Sequence, residues 1–247
     1  MRSQDVQARV RPPVIAIGGM DRAGKSTARE ALMAHLEARG YEPVYRWSRI
    51  GYTWRIERAK RLLRRVWGKR ARHADAPRSY PQRAERMRSP WKRRLWTTLA
   101  LLDLLWEYAI TGRMFRARGM ALVCDRWICD ALVDCRVNFP DDRLEKRLVW
   151  QLMTKLALRP DASFLLLISA DESLRRAHES GRRHVEPREV LEARLLEYRR
   201  IAATGLGDVI DAARPPEAIA KDLCDRLDAL LDRAGSAPSA EPALRAR

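Results

Sequence analysis

Ten consecutive residues, Gly18-Gly19-Met20-Asp21-Arg22-Ala23-Gly24-Lys25-Ser26-Thr27, form the chain's densest group of chemically useful side chains. Gly19 through Ser26 fits the spacing G-x-x-x-x-G-K-[ST] of a phosphate-cradling loop. Glycines let the backbone wrap an anion, successive N–H groups point inward, and a following helix adds partial positive charge at its N-terminus. In such a loop Lys25 reaches the terminal phosphates of a nucleotide and the Ser26 hydroxyl sits on Mg²⁺. Further along, Asp125-Arg126 pairs a metal-binding carboxylate with a guanidinium. Arg175, Arg176, Arg182 and Arg183 form an arginine-rich stretch over 175–187, with the composition of a lid. Phosphoryl transfer needs a metal, positive charge around the moving group and in-line positioning, and these residues are of the types that supply them.

These groups must be positioned by a scaffold, and the pattern predicts one. Val14-Ile15-Ala16-Ile17 reads as a buried strand before the loop, and Lys25 to Arg39 as a helix stopped by Gly40. Strands are further predicted at Glu42 to Trp47, Met120 to Cys124, Ser163 to Ile168 and Asp208 to Asp211. Between them, helices are predicted over Trp91 to Arg118, 129–137, 141–157, Asp171 to Ser180, Pro187 to Ala203 and Pro215 to Asp232. Alternating strands and helices imply a parallel sheet of about five strands, covered on both faces. In such a sheet the loop, Asp125-Arg126 and the arginine-rich stretch all fall at the carboxyl edge, where ligands bind.

The expected organisation is a flexible tail at 1–12, one domain at 13–233 and a disordered Ala/Pro/Ser-rich tail at 234–247. The chain has 49 basic and 32 acidic residues, a net charge of +17. Residues 46–94 hold 18 basic and three acidic residues, so +15 of that excess lies in one stretch. Trp and Tyr residues are interleaved there, and Tyr52 to Trp67 has the spacing of a basic amphipathic helix followed by a loop to Pro90. This insert suits an anionic membrane surface or another large anionic ligand, or it covers an acceptor; no recognised nucleic-acid-binding module is visible. Four cysteines without metal spacing read as reduced thiols of a cytoplasmic protein, and no apolar stretch is long enough to span a bilayer.

Taken together, the glycine loop, Asp125-Arg126-Trp127, Arg159-Pro160-Asp161, Ile168 to Arg176, Tyr198 and Val209-Ile210-Asp211-Ala212 resemble the thymidylate kinase family over roughly 13–45 and 118–232. The resemblance implies a P-loop NTPase three-layer α/β fold, ATP and Mg²⁺ as ligands, and phosphoryl transfer from ATP to dTMP. It implies nucleotide binding by Gly19, Asp21, Arg22, Ala23, Gly24, Lys25, Ser26 and Thr27, and Mg²⁺ binding by Ser26 and Asp125. Arg22, Lys25, Asp125 and Arg126 would be catalytic, with Arg126 on the acceptor phosphate and Asp21 beside the acceptor or a metal-bound water. Arg182 and Arg183 would close over ATP, and Val209 to Arg214 would lie near the adenine. A homodimer is compatible with this reading.

The acceptor half departs from the family's pattern. Arg46-Trp47-Ser48-Arg49 follows the second strand, and Asp130 and Asp134 take positions where the family places groups facing the base and sugar. Asp21, Arg46, Arg126, Asp130 and Asp134 are the candidate acceptor residues. Carboxylates suit hydroxyl-rich partners, so a sugar, glycan or lipid-linked saccharide stands beside dTMP as acceptor. A regulatory nucleotide-binding protein that docks on membrane or nucleic acid is the reading from a different class.

Overall fold

The computed structural model describes residues 11–53, 55–58, 61, 89–181 and 185–236. Most of the basic insert, Arg182 and Arg183 of the expected lid, and both expected tails but for Arg11, Pro12 and 234–236 lie outside the described residues.

The fold is α/β, built on one five-stranded sheet in which every strand pairs in parallel. The strands are β1 (Val14–Gly19), β2 (Glu42–Trp47), β3 (Met120–Asp125), β4 (Ala162–Leu167) and β5 (Asp208–Asp211), in the spatial order β2-β3-β1-β4-β5. The helices are α1 (Lys25–Ala38), α2 (Pro90–Trp106), α3 (Gly112–Ala117), α4 (Ile128–Asn138), α5 (Leu148–Leu156), α6 (Ala170–Glu179), α7 (Arg188–Ala202) and α8 (Pro216–Ser236). They flank the sheet in a three-layer arrangement of the P-loop NTPase type, with α1 against α8 and α4 against α7. β1 is central and buried along its whole length, which its continuous apolar run requires of a strand covered on both faces.

Two departures from the sequence reading bear on the site. The long helix expected from Trp91 to Arg118 is broken by a π-helical turn at Glu107–Thr111, between α2 and α3. That turn sets the Glu107 carboxylate inward, where it accepts from Arg46 Nε at 2.7 Å and Arg55 at 3.0 Å. The helix expected over 141–157 begins only at Leu148. Two short 3₁₀ turns, Pro140–Asp142 and Leu144–Lys146, precede it, joined by Arg143 in a left-handed conformation (φ 38°). Asp142, paired with Arg93 at 2.7 Å, and the buried Leu144 hold those turns in place.

Candidate active site

The glycine loop leaves the central strand and enters α1. Gly19 has φ +122°, and a Cβ there would come within 2.1 Å of the Leu166 carbonyl oxygen, so only glycine fits. Met20 and Ala23 are buried and anchor the loop, and Met20 N–H donates to the Leu166 carbonyl at 2.9 Å. Gly24, also left-handed at φ +83°, has no atom within 4 Å of where its Cβ would be. The same residue type therefore does two jobs: Gly19 is set against β4, while Gly24 faces open space at the head of α1.

Helix α6 braces the loop from behind. Ser173 Oγ donates to the Asp21 carbonyl at 3.0 Å and Arg176 to the Arg22 carbonyl at 3.1 Å. Arg22 is held left-handed at φ 63°, and its Nε is buried without a hydrogen-bond partner. A strained backbone carrying an unsatisfied guanidinium nitrogen is costly unless function uses it.

Lys25 folds back over the loop. Its Nζ donates to the carbonyls of Met20 at 2.6 Å and Gly19 at 3.1 Å, with the Asp21 carboxylate 4.0 Å away. Burial, reinforced by Arg126, brings its ammonium down to about 8, with Asp21, Asp130 and Asp125 opposing. Asp21 shows the reverse balance. Burial alone would raise its carboxyl, but Lys25, Arg126, Arg49 and Arg194 hold it down to about 2. Ser26 and Thr27 lie exposed in the first turn of α1.

Asp125 ends β3 next to the loop, with its backbone in register with Ile17 of β1. One carboxylate oxygen accepts from Tyr45 Oη at 3.2 Å; the other is buried with no partner. An orphaned, buried carboxylate oxygen at the end of the strand next to β1 fits a cation. Among the described residues no three His, Cys, Asp or Glu side chains converge on a metal-sized site. A Mg²⁺ ion here would thus be held by Asp125, Ser26 and phosphate oxygens, the sparse protein ligation this ion accepts.

Beyond Asp125 lies a cluster of three carboxylates and three guanidiniums. Arg126, left-handed at φ 74° and 8% exposed, donates to Asp21 at 2.8 Å and lies 3.5 Å from Asp130. Asp130 is buried and accepts from Gly19 N–H at 3.2 Å, Trp127 N–H at 3.0 Å and Tyr198 Oη at 2.7 Å. It thus ties the loop to the start of α4 and to α7. Asp134, one turn on, accepts from Arg49 at 3.0 Å and Arg194 at 2.5 Å. Burial would raise its carboxyl; Arg49, Arg194 and Arg126 overcome that and hold it well below the usual carboxylate range. Trp127 packs on Tyr108 with ring centroids 4.0 Å apart, and Ser48 Oγ donates to Tyr108 Oη at 3.0 Å. Ser48, Tyr108 and Trp127 line a small cavity with Arg46, Glu107 and Cys124.

The structure therefore brings together the loop residues, Asp125, Arg126 and Asp130. Asp134 joins them through its arginines. Asp130 and Asp134 face protein partners rather than open cleft. Arg46 points instead to Glu107 and lines the small cavity with it. Arg182 and Arg183 lie outside the described residues. Sequence reasoning missed Arg49 and Arg194 as charge partners. Arg194 had a visible signal: it shares the inward stripe of α7 with Val190, Leu191, Tyr198 and Ile201, four residues before Tyr198. An arginine on an apolar face must have a buried carboxylate to meet. No protein-family model matches this chain, and no curated protein matches it.

Proposed function

We propose that the protein is an ATP- and Mg²⁺-dependent phosphotransferase, related to thymidylate kinase, whose acceptor carries its own anionic group. The observation that carries this reading is the unpartnered buried oxygen of Asp125 beside a glycine loop with open space at Gly24. Mg²⁺, when bound, neutralises the charge that develops on the transferring phosphoryl group. Gly24 and the amides leading into α1 cradle phosphate oxygens. Lys25 leaves the Gly19 and Met20 carbonyls to meet the terminal phosphates, and Arg22 supplies a second cation from the loop itself. Arg126 exchanges its bond to Asp21 for the acceptor's anionic group, with Arg49 behind it.

A nucleoside monophosphate such as dTMP is the first acceptor to test. The Trp127–Tyr108 pair near Ser48 is buried, so it backs the wall of the site and a base would have to be held by other groups. A hydroxyl-rich glycan or lipid-linked acceptor is the alternative; it needs Asp130 or Asp134 to be released from present partners. ADP release measured across nucleoside monophosphates and hydroxylated acceptors tests both. Stimulation by a monophosphate supports the first. Stimulation by a glycan alone overturns it, and no Mg²⁺-dependent turnover with any acceptor defeats the proposal.

Two expected results arise here. Lys25 must be charged to grip phosphate, and its ammonium is already lowered to about 8 before ligand arrives. ATP affinity is therefore expected to be level below that pH and to fall about tenfold per unit above it, because binding must then take up a proton. Calorimetric titrations in buffers of different ionisation heat would show the proton uptake. The two loop glycines should also separate. Gly19→Ala meets the Leu166 backbone and is expected to cost about 3 kcal/mol or more by denaturant unfolding. Gly24→Ala costs only the left-handed strain, about 1–2 kcal/mol, yet weakens ATP binding at least about tenfold by filling the phosphate's space.

A further inference from the structure

Helix α6 does more than back the glycine loop, because one of its side chains reaches two segments at once. Ser173 and Arg176 stand three positions apart on α6 and so share a face. Ser173 is fully buried and holds the Asp21 carbonyl. Arg176 carries on past the loop, and its three nitrogens go to three elements. Nε donates to Glu172 of its own helix at 2.6 Å, Nη1 to the Arg22 carbonyl at 3.1 Å and Nη2 to the Ala212 carbonyl at 2.9 Å. Ala212 follows β5 directly, and its own N–H donates to the Leu167 carbonyl at 3.0 Å, which fastens that segment to the end of β4.

A guanidinium is a rigid planar fork, and hydrogen bonds from a charged donor are the strong ones. With Glu172 clamping Nε, the two Nη groups are set at one angle, and the carbonyls they hold are set at one separation. A peptide unit is planar and trans, so drawing the Asp21 carbonyl back onto α6 turns the Arg22 N–H the opposite way, out from the helix. The Arg22 carbonyl belongs to a left-handed residue (φ 63°), a conformation that persists only when its surroundings hold it. Two further bonds fasten the loop, Met20 N–H to Leu166 and Gly19 N–H to Asp130, and neither touches the segment after β5. Among the described residues no other side chain hydrogen-bonds to both.

We propose that Arg176 is a positioning residue for the nucleotide, holding the phosphate loop and the segment after β5 at the separation that a ligand must span from its phosphates to its base. This rests on the reading of the loop as an ATP site, and adds that the span is set before ATP arrives. Arg176 acts through the two carbonyls rather than by contact with the ligand. Base and phosphates are then bound together without the cost of bringing their two segments into place.

Calorimetric titration of the full chain with ATP and with tripolyphosphate, both with Mg²⁺, tests it, because tripolyphosphate needs the loop alone. Arg176→Lys keeps the charge and loses the fork. In it ATP affinity is expected to fall at least about tenfold. Tripolyphosphate affinity should fall by less than about threefold, since Ser173, Leu166 and Asp130 still hold the loop. Glu172→Gln weakens the clamp on Nε but leaves both carbonyl bonds in reach, and is expected to lower the ratio of ATP to tripolyphosphate affinity about threefold. Equal weakening of the two ligands in Arg176→Lys overturns the proposal, because a side chain that only stabilises the loop would act on both alike. Unchanged ATP affinity overturns it as well. Should Arg176→Lys fail to fold by circular dichroism, an unchanged ratio in Glu172→Gln overturns it instead. A parent chain that binds neither ligand defeats the nucleotide reading itself, and this inference with it.

Discussion

Replacing Asp134 with asparagine is expected to destabilise the protein by about 3–5 kcal/mol, although the side chain keeps its shape. Asp134 is 3% exposed and holds Arg49 and Arg194 on opposite sides. Removing its charge leaves the largely buried Arg49 short of a counter-ion and Arg194 with Glu186 alone, and desolvated charge is what costs. Adding Arg49→Met should recover part of the loss, because it removes the stranded cation; a double-mutant cycle measures the coupling. The sign with pH follows from the carboxyl's depressed titration. Its stabilisation is present above the ordinary carboxylate range, near pH 4, and is lost as pH falls below it. Acid unfolding of Asp134→Asn should thus be flatter below about pH 4 than that of the parent. A loss under about 1 kcal/mol in chemical denaturation would mean that the arginines find other partners.

Lys25→Ala is expected to reduce ATP-dependent turnover at least about 100-fold, comparable to removing one preorganised donor from a charged transition state. The fold should survive, because the Lys25 ammonium donates only to the Gly19 and Met20 carbonyls, which water can then satisfy at the loop's open side. Steady-state ADP release together with the unfolding midpoint separates the two effects. Turnover that persists within a few-fold of the parent, with the fold intact, would remove the glycine loop from the mechanism.

Much of this architecture was legible in the residues. β1 and β4 are continuous apolar runs that only a doubly covered parallel strand accommodates, and the glycine spacing predicted a loop between β1 and α1. The π-helical turn at Glu107–Thr111 was not legible. Apolar spacing on either side averages to an unbroken helix, and the extra residue is accommodated because Glu107 must reach Arg46 and Arg55, both distant in sequence. The 3₁₀ turns before α5 escaped for a similar reason: 141–147 has acceptable helical composition, but Arg93 captures Asp142 from another element. At the site, residue types pointed to Asp125, Arg126 and the loop. The pairing that neutralises Asp134 needed the third dimension, since Arg49 and Arg194 lie on either side of it in sequence, 85 and 60 residues away.

The position of β1 has a consequence for how the chain comes into being. It precedes the other four described strands in sequence, yet its two neighbours are β3 and β4, and Val14 N–H is fixed by Asp161, 147 residues downstream. Until β4 has left the ribosome, the central strand lacks one of its two neighbours. At roughly 5–20 residues per second that interval is on the order of ten to thirty seconds. Throughout it Val14-Ile15-Ala16-Ile17 is an apolar segment with at least one edge unpaired, the kind that nascent-chain chaperones hold and that aggregates when they do not. The glycine loop, whose Gly19 and Met20 amides are anchored to Asp130 and Leu166, is accordingly among the last features to take shape.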